Sequence, residues 1–194
     1  MRVIITGVAG PIGLVQHDDF SNYPPETIEN LAGAEACIWA VEPRPFVFPD
    51  SSSARLLCME HPFNAAVAFV ENLAPVVPCD RKFRFVLLNG TAAERFNYMH
   101  PLYSRRVRRI KKRGEELLFR VQNRNPARLS VRVARPPRVL DTQGSLLKSM
   151  AVRFRGFMAV QKVAQSLVLL ATENYAAQIF DEADLIDIVN QHQP

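Results

Sequence analysis

Short apolar runs alternate along the chain with segments in which apolar residues recur every three or four positions. Runs of strand length occupy residues 3–5, 35–41, 83–88 and 129–134. Nearly continuous apolar runs are typical of strands that a parallel sheet buries on both faces. Helical periodicity marks residues 26–31, 62–74, 104–122, 160–171 and 185–189. The alternation predicts one α/β domain over residues 1–194, with a largely parallel sheet flanked by helices.

Glycine, proline and serine separate these segments. Gly33 follows the first predicted helix, where glycine is a common stop signal. Residues 43–53 are rich in proline and serine, and we expect them to form an irregular loop. This loop follows the carboxyl end of a strand, which is the ligand side of an open α/β sheet.

The first strand ends at Thr6, and three glycines follow at a fixed interval: Gly7, Gly10 and Gly13. In nucleotide-binding turns, one such glycine turns the chain tightly and one lets the backbone approach a pyrophosphate. The third lets the next helix pack closely on the strand. The spacing therefore predicts a nucleotide site. The strand before the turn is present, but no clear helical pattern follows it.

The net charge of +5 has a local origin. Residues 105–113 contain seven of the 24 basic residues and no acidic one, which leaves 17 basic against 19 acidic residues elsewhere. Apolar residues recur through the same region at helical spacing: Val107, Ile110, Gly114, Leu117 and Val121. Glu115 and Glu116 can pair with Lys111 and Lys112 one turn earlier. We interpret the run as the solvated face of an amphipathic helix, with nucleic-acid binding as the less favoured alternative.

Composition limits the class of protein. The hydrophobic fraction of 48% and the charged fraction of 22% are ordinary for a globular domain, and no apolar run reaches membrane-spanning length. We expect a soluble cytoplasmic protein that does not bind membranes. Cys37, Cys58 and Cys79 lie far apart, so we expect thiols rather than a disulfide framework or a zinc site.

Residues 6–13, T-G-V-A-G-P-I-G, resemble the T-G-A-T-G-F-I-G turn of an atypical, extended-type short-chain dehydrogenase/reductase. This NAD(P)-binding Rossmann family includes nucleoside-diphosphate-sugar epimerase-like and fungal members. The resemblance continues through residues 33–40 as the fourth strand, 83–90 as the fifth, 109–111 in the helix of the active-site lysine, and Arg135-Pro136 after the sixth. It implies a Rossmann-like, mostly parallel sheet flanked by helices.

The resemblance also implies which residues contact NADP or NAD. Those of the glycine turn would bind the pyrophosphate: Thr6, Gly7, Gly10, Pro11, Ile12 and Gly13. Asp19 and Phe20 are similar to the acidic-hydrophobic pair that faces the adenine, while Ala40 and Val41 would wall the cofactor and Lys111 would hold the ribose. No arginine follows the glycines closely enough to select NADP over NAD.

In this family a serine orients the carbonyl, a tyrosine passes the proton, and a lysine lowers the pKa of the tyrosine. Lys111 matches the lysine, but Val107 stands four residues before it, where the tyrosine is expected. Asn89 matches the serine position and offers an amide in place of a hydroxyl. The implied catalytic residues are Lys111, Asn89 and Tyr103, with Tyr98 as another nearby phenol.

The resemblance is interrupted near the N-terminus. Only five residues separate Gly13 from Asp19, whereas a parallel crossover takes a dozen or more. We expect a sheet shortened near the N-terminus, without the family's first helix and its second strand, which carries the ribose-reading residue. The segment could form an irregular or antiparallel return, could open a stunted helix, or could reflect a deletion or a misplaced exon boundary.

Two classes of function follow. The first is an NAD(P)-dependent oxidoreductase or epimerase-like protein acting on a small carbonyl or hydroxyl compound, which the family's fungal members place in secondary metabolism. The second is a cofactor-free isomerase or lyase, or a non-catalytic binding protein, on a degenerate Rossmann scaffold. His17, Asp18 and Glu42 are the candidate acids and bases in that case.

Overall fold

The computed structural model describes residues 1–6, 15, 17, 19–41, 51–90, 101–141 and 157–192, with only the backbone given for residue 51 and residues 101–104. Fifteen elements occur in these ranges. They are β1 (Arg2–Thr6), α1 (Pro25–Asn30), β2 (Ala34–Trp39), α2 (Ser51–Arg55), a π-helical turn (Leu56–Glu60), α3 (His61–Asn72), a 3-10 turn (Ala74–Val76), β3 (Phe83–Leu88), α4 (Pro101–Arg124), β4 (Leu129–Ala134), β5 (Arg138–Leu140), β6 (Phe157–Ala159), α5 (Val160–Thr172), β7 (Ile179–Phe180) and α6 (Glu182–Gln191).

Five strands form one sheet in the order β1-β2-β3-β4-β7, and all four pairings are parallel. A second, two-stranded parallel sheet contains β5 and β6. The predicted fold class, a Rossmann-like α/β sheet flanked by helices, is confirmed. β1 pairs directly with β2 and lies at the edge of the described sheet, as expected for a sheet shortened near the N-terminus.

The sheet separates two apolar cores because successive side chains of a strand point to opposite faces. On one face Trp39, Phe83 and Phe85 pack with residues of α3 and α4, including Phe69 and Leu118. The other face carries residues of the same strands and of α5 and α6: Ile38, Val86, Leu167, Leu170 and Leu185. The predicted strands at 83–88 and 129–134 are confirmed residue for residue.

Two glycines have structural roles that only glycine can fill. Gly33 follows α1 with a φ of 77°, in the left-handed region that favours glycine. Gly114 lies on α4 against the π-helical turn, where an added Cβ would stand 2.1 Å from the carbonyl oxygen of Cys58. Gly114 therefore allows α4 to approach the backbone of the π-helical turn.

Two arginines, Arg84 and Arg132, are buried on the face of the sheet covered by α5, with exposed fractions of 6% and 3%. We call them the buried arginine pair. Arg84 donates to the carbonyl of Ala171 at 3.3 Å, and Arg132 donates to the carbonyls of Leu170 and Glu173. The pair therefore caps the C-terminal carbonyls of α5.

The buried arginine pair also has an unfavourable electrostatic environment. Burial and, to a smaller extent, the neighbouring Arg84 cation together lower the pKa of Arg132 to about 10, although Tyr175 acts in the opposite direction. The Arg132 guanidinium lies 5.4 Å from the centre of the Tyr175 ring, within the range of a cation–π contact. The carbonyl dipoles and this ring compensate the charge only in part, so the buried cation keeps a desolvation cost.

Other predictions differ from the structure in detail. Residues 43–53 were expected to be irregular, and this is wrong at the end of the segment because α2 begins at Ser51. Serine is compatible with the start of a helix, so a serine run does not exclude one. The described residues contain no helix long and apolar enough to cross a membrane.

Candidate active site

The candidate site lies at the carboxyl ends of β3 and β4. Asn89 and Gly90 follow β3, while Arg135 and Pro136 follow β4. The chain leaves β3 towards α4 on one face of the sheet and leaves β4 towards α5 on the other. Such a divergence at the carboxyl end of a parallel sheet opens a crevice, which is where open α/β sheets bind ligands.

Lys111 is brought to this edge by α4. Its side chain is buried, with an exposed fraction of 3%, and its Nζ donates to the carbonyl of Gly90 at 2.6 Å. Val107 lies one turn earlier on the same helix and is also buried, at 5%. The position at which the family resemblance implies a tyrosine is therefore filled by an apolar side chain packed in the protein.

Glu115 joins three elements at the same edge. The carboxylate is buried, at 4% exposure, and its Oε1 accepts from Nδ2 of Asn89 at 2.6 Å and from Nε of Arg135 at 3.1 Å. Its Oε2 accepts from Nη2 of Arg135, which makes the ion pair bidentate. We call Asn89, Lys111, Glu115 and Arg135 the carboxyl-edge cluster.

The predicted partners of the two glutamates differ from the observed ones. The helical spacing predicts that Glu115 pairs with Lys111 and Glu116 with Lys112. In the structure Glu115 bonds to Asn89 and Arg135, and Glu116 pairs with Arg113 at 3.0 Å. Lys111, Glu115 and Leu118 lie on the buried side of α4. The carboxylate of Glu115 therefore points away from the cations on the exposed side.

Asn89 lies at the end of β3, as predicted, but the nitrogen of its amide group already donates a hydrogen bond to Glu115. The nitrogen must face Glu115, because a carboxylate can only accept hydrogen bonds. The Oδ1 atom then points away from the carboxylate and is an acceptor. In this geometry Asn89 can accept a hydrogen bond from a hydroxyl more readily than it can orient a carbonyl.

The end of β1 is held against the end of β2. The hydroxyl oxygen of Thr6 accepts from the backbone N–H of Ala40 at 3.2 Å and donates to the carbonyl of Ile38 at 3.4 Å. Ala40 and Val41, the predicted wall of the cofactor site, are half-buried at this edge. Thr6 therefore fixes the two strand ends from which the predicted cofactor contacts extend.

Asp19 and Phe20, the predicted adenine pair, lie beside β2. Asp19 is exposed, and its Oδ1 accepts from the backbone N–H of Ser21 at 2.9 Å. The ring of Phe20 meets the edge of Trp39 with 5.2 Å between centroids. It also contacts His61, at 5.7 Å, so the ring is packed against the core.

Unsatisfied polar atoms surround Phe20. Four buried side-chain atoms in this region have no hydrogen-bond partner: Nε2 of His17, the hydroxyl of Tyr23, Nε1 of Trp39 and Nδ1 of His61. Buried polar groups without partners are uncommon in native proteins and mark places that a ligand, water or rearrangement can satisfy. We call His17, Tyr23, Trp39 and His61 the unpaired aromatic cluster.

Two groups of this cluster have shifted acidities. Burial raises the pKa of the Tyr23 phenol, and the nearby Cys37 thiol and Asp19 carboxylate raise it further. Burial lowers the pKa of the His61 imidazole, although the carboxylates of Asp19 and Glu60 act in the opposite direction. A neutral imidazole such as that of His61 can accept a proton near neutral pH, whereas the Tyr23 phenol, with its raised pKa, stays protonated.

Several predicted site residues lie outside the described part of the chain. They are Gly7, Gly10, Pro11, Ile12, Gly13, Asp18, Glu42 and Tyr98. Tyr103 lies on α4 two turns before Lys111, with only its backbone described. The described residues contain no group of histidine, cysteine, aspartate or glutamate side chains that could hold a metal ion.

Sequence reasoning missed five residues of these clusters: Tyr23, Trp39, His61, Glu115 and Arg135. Glu115 was assigned to the solvated face, although its position four residues after Lys111 places both on one side of a helix. Arg135 was noted only as the end of a strand, and a cation at the carboxyl end of a parallel strand is itself a signal. His61 carried no sequence signal, because only the fold brings it to Phe20.

No protein-family model matches the sequence, and no curated protein is significantly similar to it. Solved structures do share the fold. The UDP-N-acetylglucosamine 4-epimerase from Bacillus cereus is 14% identical, with a TM-score of 0.52 over 92% of this chain and 66% of that one. The Bordetella bronchiseptica enzyme WbmG, solved with NAD and UDP, is 12% identical, with a TM-score of 0.54 over 92% of this chain and 63% of that one.

A third structure, MoeE5 in complex with UDP-glucuronic acid and NAD, is 17% identical, with a TM-score of 0.50 over 79% of this chain and 58% of that one. At these identities the likeness concerns the fold. This chain spans less than two thirds of the length of each of the three proteins.

Proposed function

We propose that this chain acts as an NAD(P)-dependent oxidoreductase or epimerase of the short-chain dehydrogenase/reductase type, on a small carbonyl or hydroxyl compound. The observation that carries the proposal is the position of Lys111. A buried lysine whose Nζ is bonded to the carbonyl at the end of β3 stands in the crevice of a Rossmann-like sheet. Neighbours of the same fold were solved with NAD, which supports a dinucleotide as the ligand.

The donors at this edge suit a dinucleotide. Lys111 offers an ammonium group for ribose hydroxyls, and Thr6 begins the turn whose glycines would face the pyrophosphate. The remaining contacts of the proposed site come from Gly7, Gly10, Pro11, Ile12, Gly13, Asp19, Phe20, Ala40 and Val41. When bound, NAD or NADP would supply the hydride acceptor or donor that protein side chains lack.

The side chains then have separate tasks. Lys111 would hold the ribose and keep a positive charge near the reacting centre. Asn89, fixed through its nitrogen by Glu115, would accept a hydrogen bond from a substrate hydroxyl through Oδ1. Because Val107 offers no proton, we assign proton transfer to Tyr103, one turn earlier on α4.

Cofactor binding is tested by titrating the purified chain with NADPH and NADH, read by thermal shift and by nucleotide fluorescence. We expect Lys111→Met to weaken binding by about tenfold or more, since a hydrogen bond from a charged group is lost. Lys112→Met is the matched control, because Lys112 is the exposed neighbour, and it should change affinity by less than about twofold. Failure of both nucleotides to bind the wild-type chain would overturn the proposal.

The assignment of Tyr103 needs its own test. Once a substrate turns over, Tyr103→Phe should lower kcat while leaving nucleotide affinity unchanged, and Tyr98→Phe is the matched control. If Tyr98→Phe has the larger effect on kcat, the proton comes from that phenol instead.

A second function is favoured by one observation, the burial of Val107 at the position of the expected phenol. A cofactor-free isomerase or lyase, or a binding protein, would use His17, Asp18 or Glu42 as its polar groups, and His61 joins them through its contact with Phe20. The single tryptophan, Trp39, belongs to the unpaired aromatic cluster and is a built-in probe. A change in its fluorescence with a sugar nucleotide, together with no response to NADPH or NADH, would favour this function.

A further inference from the structure

The seven basic residues of 105–113 have different surroundings on α4. Lys111 is buried in the carboxyl-edge cluster, and Arg113 pairs with Glu116. Arg108 is exposed and has an interaction within the chain. Arg105, Arg106, Arg109 and Lys112 are exposed, and none of the four has a hydrogen bond or ion pair with another described residue. We call these four residues the basic face.

The basic face points away from the protein core. Arg105, Arg109 and Lys112 are four and three residues apart, which places them on one side of the helix over about 10 Å. The buried residues of α4, including Gly114 and Leu118, lie on the other side. The charged side chains are therefore presented to solvent by a helix that is anchored along its opposite side.

Neutralisation by the acidic side chains that the structure describes does not explain this face. The sequence offered Glu115 and Glu116 as counter-charges, but Glu115 is turned inward to Arg135 and Glu116 bonds to Arg113. Cations repeated at three- and four-residue spacing repel one another and weaken a helix. An external polyanion bound along this side would relieve the repulsion.

The composition of the face indicates the chemistry of that polyanion. Three of its four residues are arginines, whose planar guanidinium groups match phosphate oxygens better than ammonium groups do. Among the described side chains, the large apolar ones that are exposed all lie outside α4, so residues 105–124 of this helix offer no large apolar group to insert into a membrane. The face also lacks an aromatic residue that could stack on unpaired bases.

From these features we propose that the basic face binds the phosphate backbone of double-stranded nucleic acid, without reading base sequence. Backbone contacts position a protein on a duplex and carry no sequence information. The face lies on the side of α4 opposite to the core, so this binding is independent of the crevice occupied by Lys111. It adds a nucleic-acid partner that the fold alone does not suggest.

The test uses the full chain and fluorescence anisotropy with a labelled DNA duplex and an RNA duplex of the same sequence. Four phosphate contacts predict that log K falls with log salt with a slope of about −3 to −4 between about 50 and 200 mM. Scrambling the sequence of the duplex should leave the affinity unchanged. A triple variant, Arg105→Gln, Arg109→Gln and Lys112→Gln, should reduce the slope by about 3 and the low-salt affinity by about tenfold or more.

A charge-matched control separates the basic face from net charge. Arg120, Arg124 and Arg128 are exposed at the other end of α4 and in the turn after it. Their triple replacement by glutamine removes the same charge and should leave most of the affinity in place. Circular dichroism and thermal unfolding of both variants check that the fold is kept, which we expect because all six positions are solvent-facing.

Three results would overturn the proposal. The first is no anisotropy change with either duplex at low salt. The second is an equal loss of affinity in the two triple variants, which would assign binding to net charge. The third is tighter binding to vesicles of phosphatidylserine and phosphatidylcholine than to the duplexes, with the same dependence on the basic face, which would identify a membrane surface as the partner.

Discussion

The carboxyl-edge cluster and the buried arginine pair both bury charge against β3 and β4, but they compensate it in different ways. In the carboxyl-edge cluster a full negative charge, on Glu115, bridges an amide from one strand end and a guanidinium from the other. In the buried arginine pair the partners are carbonyl dipoles at the end of α5 and the Tyr175 ring.

The difference gives the two clusters different roles. We propose that the carboxyl-edge cluster is part of a ligand site, and that the buried arginine pair only stabilises the fold. A carboxylate leaves its neighbours oriented but with capacity for further bonds, as Oδ1 of Asn89 shows, and this is what a ligand-binding edge requires. The guanidinium groups of the pair join β3 and β4 to the end of α5: they donate to its carbonyls and, from Arg84, to Oδ1 of Asn174, while Nε of Arg132 has no hydrogen-bond partner among the described residues. We therefore expect the carboxyl-edge cluster to affect both stability and binding, and the arginine pair to affect stability alone.

Removing the carboxylate should have the largest effect. Glu115→Leu leaves Arg135 without its ion-pair partner and Asn89 without its acceptor, and we expect a loss of about 3 kcal/mol in the free energy of unfolding. Urea unfolding measures it. Glu116→Leu is the control: its pair with Arg113 is exposed, so it should cost less than about 0.5 kcal/mol. Equal losses in the free energy of unfolding for the two variants would contradict the expected difference between the buried and the exposed ion pair.

A steric change on the same helix should come next. In Gly114→Ala the new Cβ would collide with the carbonyl of Cys58, so α4 must move away from the π-helical turn. We expect a loss of about 2 kcal/mol, although alanine is the better helix former. Affinity for NADPH should fall as well, because Lys111 moves with α4.

The control for this steric change is Asn123→Ala, at an exposed position of the same helix. It should leave both stability and NADPH binding close to those of the wild-type chain. A Gly114→Ala variant as stable as this control would show that the contact with the π-helical turn does not constrain α4.

Replacing a member of the arginine pair should cost less. Arg132→Met loses two hydrogen bonds to helix carbonyls, but it also removes a desolvated cation and its repulsion with Arg84. Because these effects oppose each other, we expect the free energy of unfolding to change by about 1 kcal/mol or less near neutral pH. Between the lowered pKa of about 10 and the higher, ordinary pKa of an arginine, the folded chain binds fewer protons at Arg132 than the unfolded chain does. Wild-type stability relative to the variant should therefore rise with pH across that window.

Unfolding in urea near neutral pH and at about pH 11 checks both statements. NADPH affinity serves as the second measurement and should be unchanged in Arg132→Met. A cost larger than that of Glu115→Leu, or a loss of cofactor affinity, would contradict the division between site and support.

The smallest effect should come from His61, beside the carboxyl edge. Burial lowers the pKa of its imidazole, so the folded chain binds fewer protons than the unfolded chain just below the ordinary value of 6.5. The contribution of this group is thus lost as pH falls from 6.5 to the lowered pKa. His61→Gln should lose less stability on acidification than the wild-type chain, as measured by thermal unfolding across that range.

His192→Gln removes an imidazole from the exposed end of α6 and is the control for His61. If both histidine variants respond to acid as the wild-type chain does, the pKa of His61 does not change on folding, which would contradict this prediction. The carboxyl-edge cluster and the buried arginine pair would then differ in the pH dependence of their stability only in the alkaline range, where Arg132 titrates.

The sequence predicted the parts of the fold that depend on local pattern. β3 and β4 are continuous apolar runs bounded by turn residues, and their bounds were correct. β7 escaped prediction because it is only two residues, Ile179–Phe180, and exists through its pairing with Val133 and Ala134. A strand so short has no pattern of its own.

The candidate site was predicted in part. Lys111 and Asn89 were identified from their resemblance to a motif, and the fold places both at the carboxyl edge. The link from Asn89 through Glu115 to Arg135 could not be predicted, because Arg135 follows β4 and lies twenty residues further along the chain than Glu115. Long-range pairing of this kind is set by packing rather than by local spacing.

The edge position of β1 has a consequence for the behaviour of the chain in concentrated solution. An edge strand presents a row of unpaired N–H and C=O groups, which is a template on which another extended polypeptide can add. Ile5, with an exposed fraction of 53%, gives this template an apolar side chain, whereas the shortness of the strand and the charge of Arg2 oppose its growth. Of the two edge strands of the described sheet, β1 has five residues and β7 only two, so intermolecular strand addition would begin at β1.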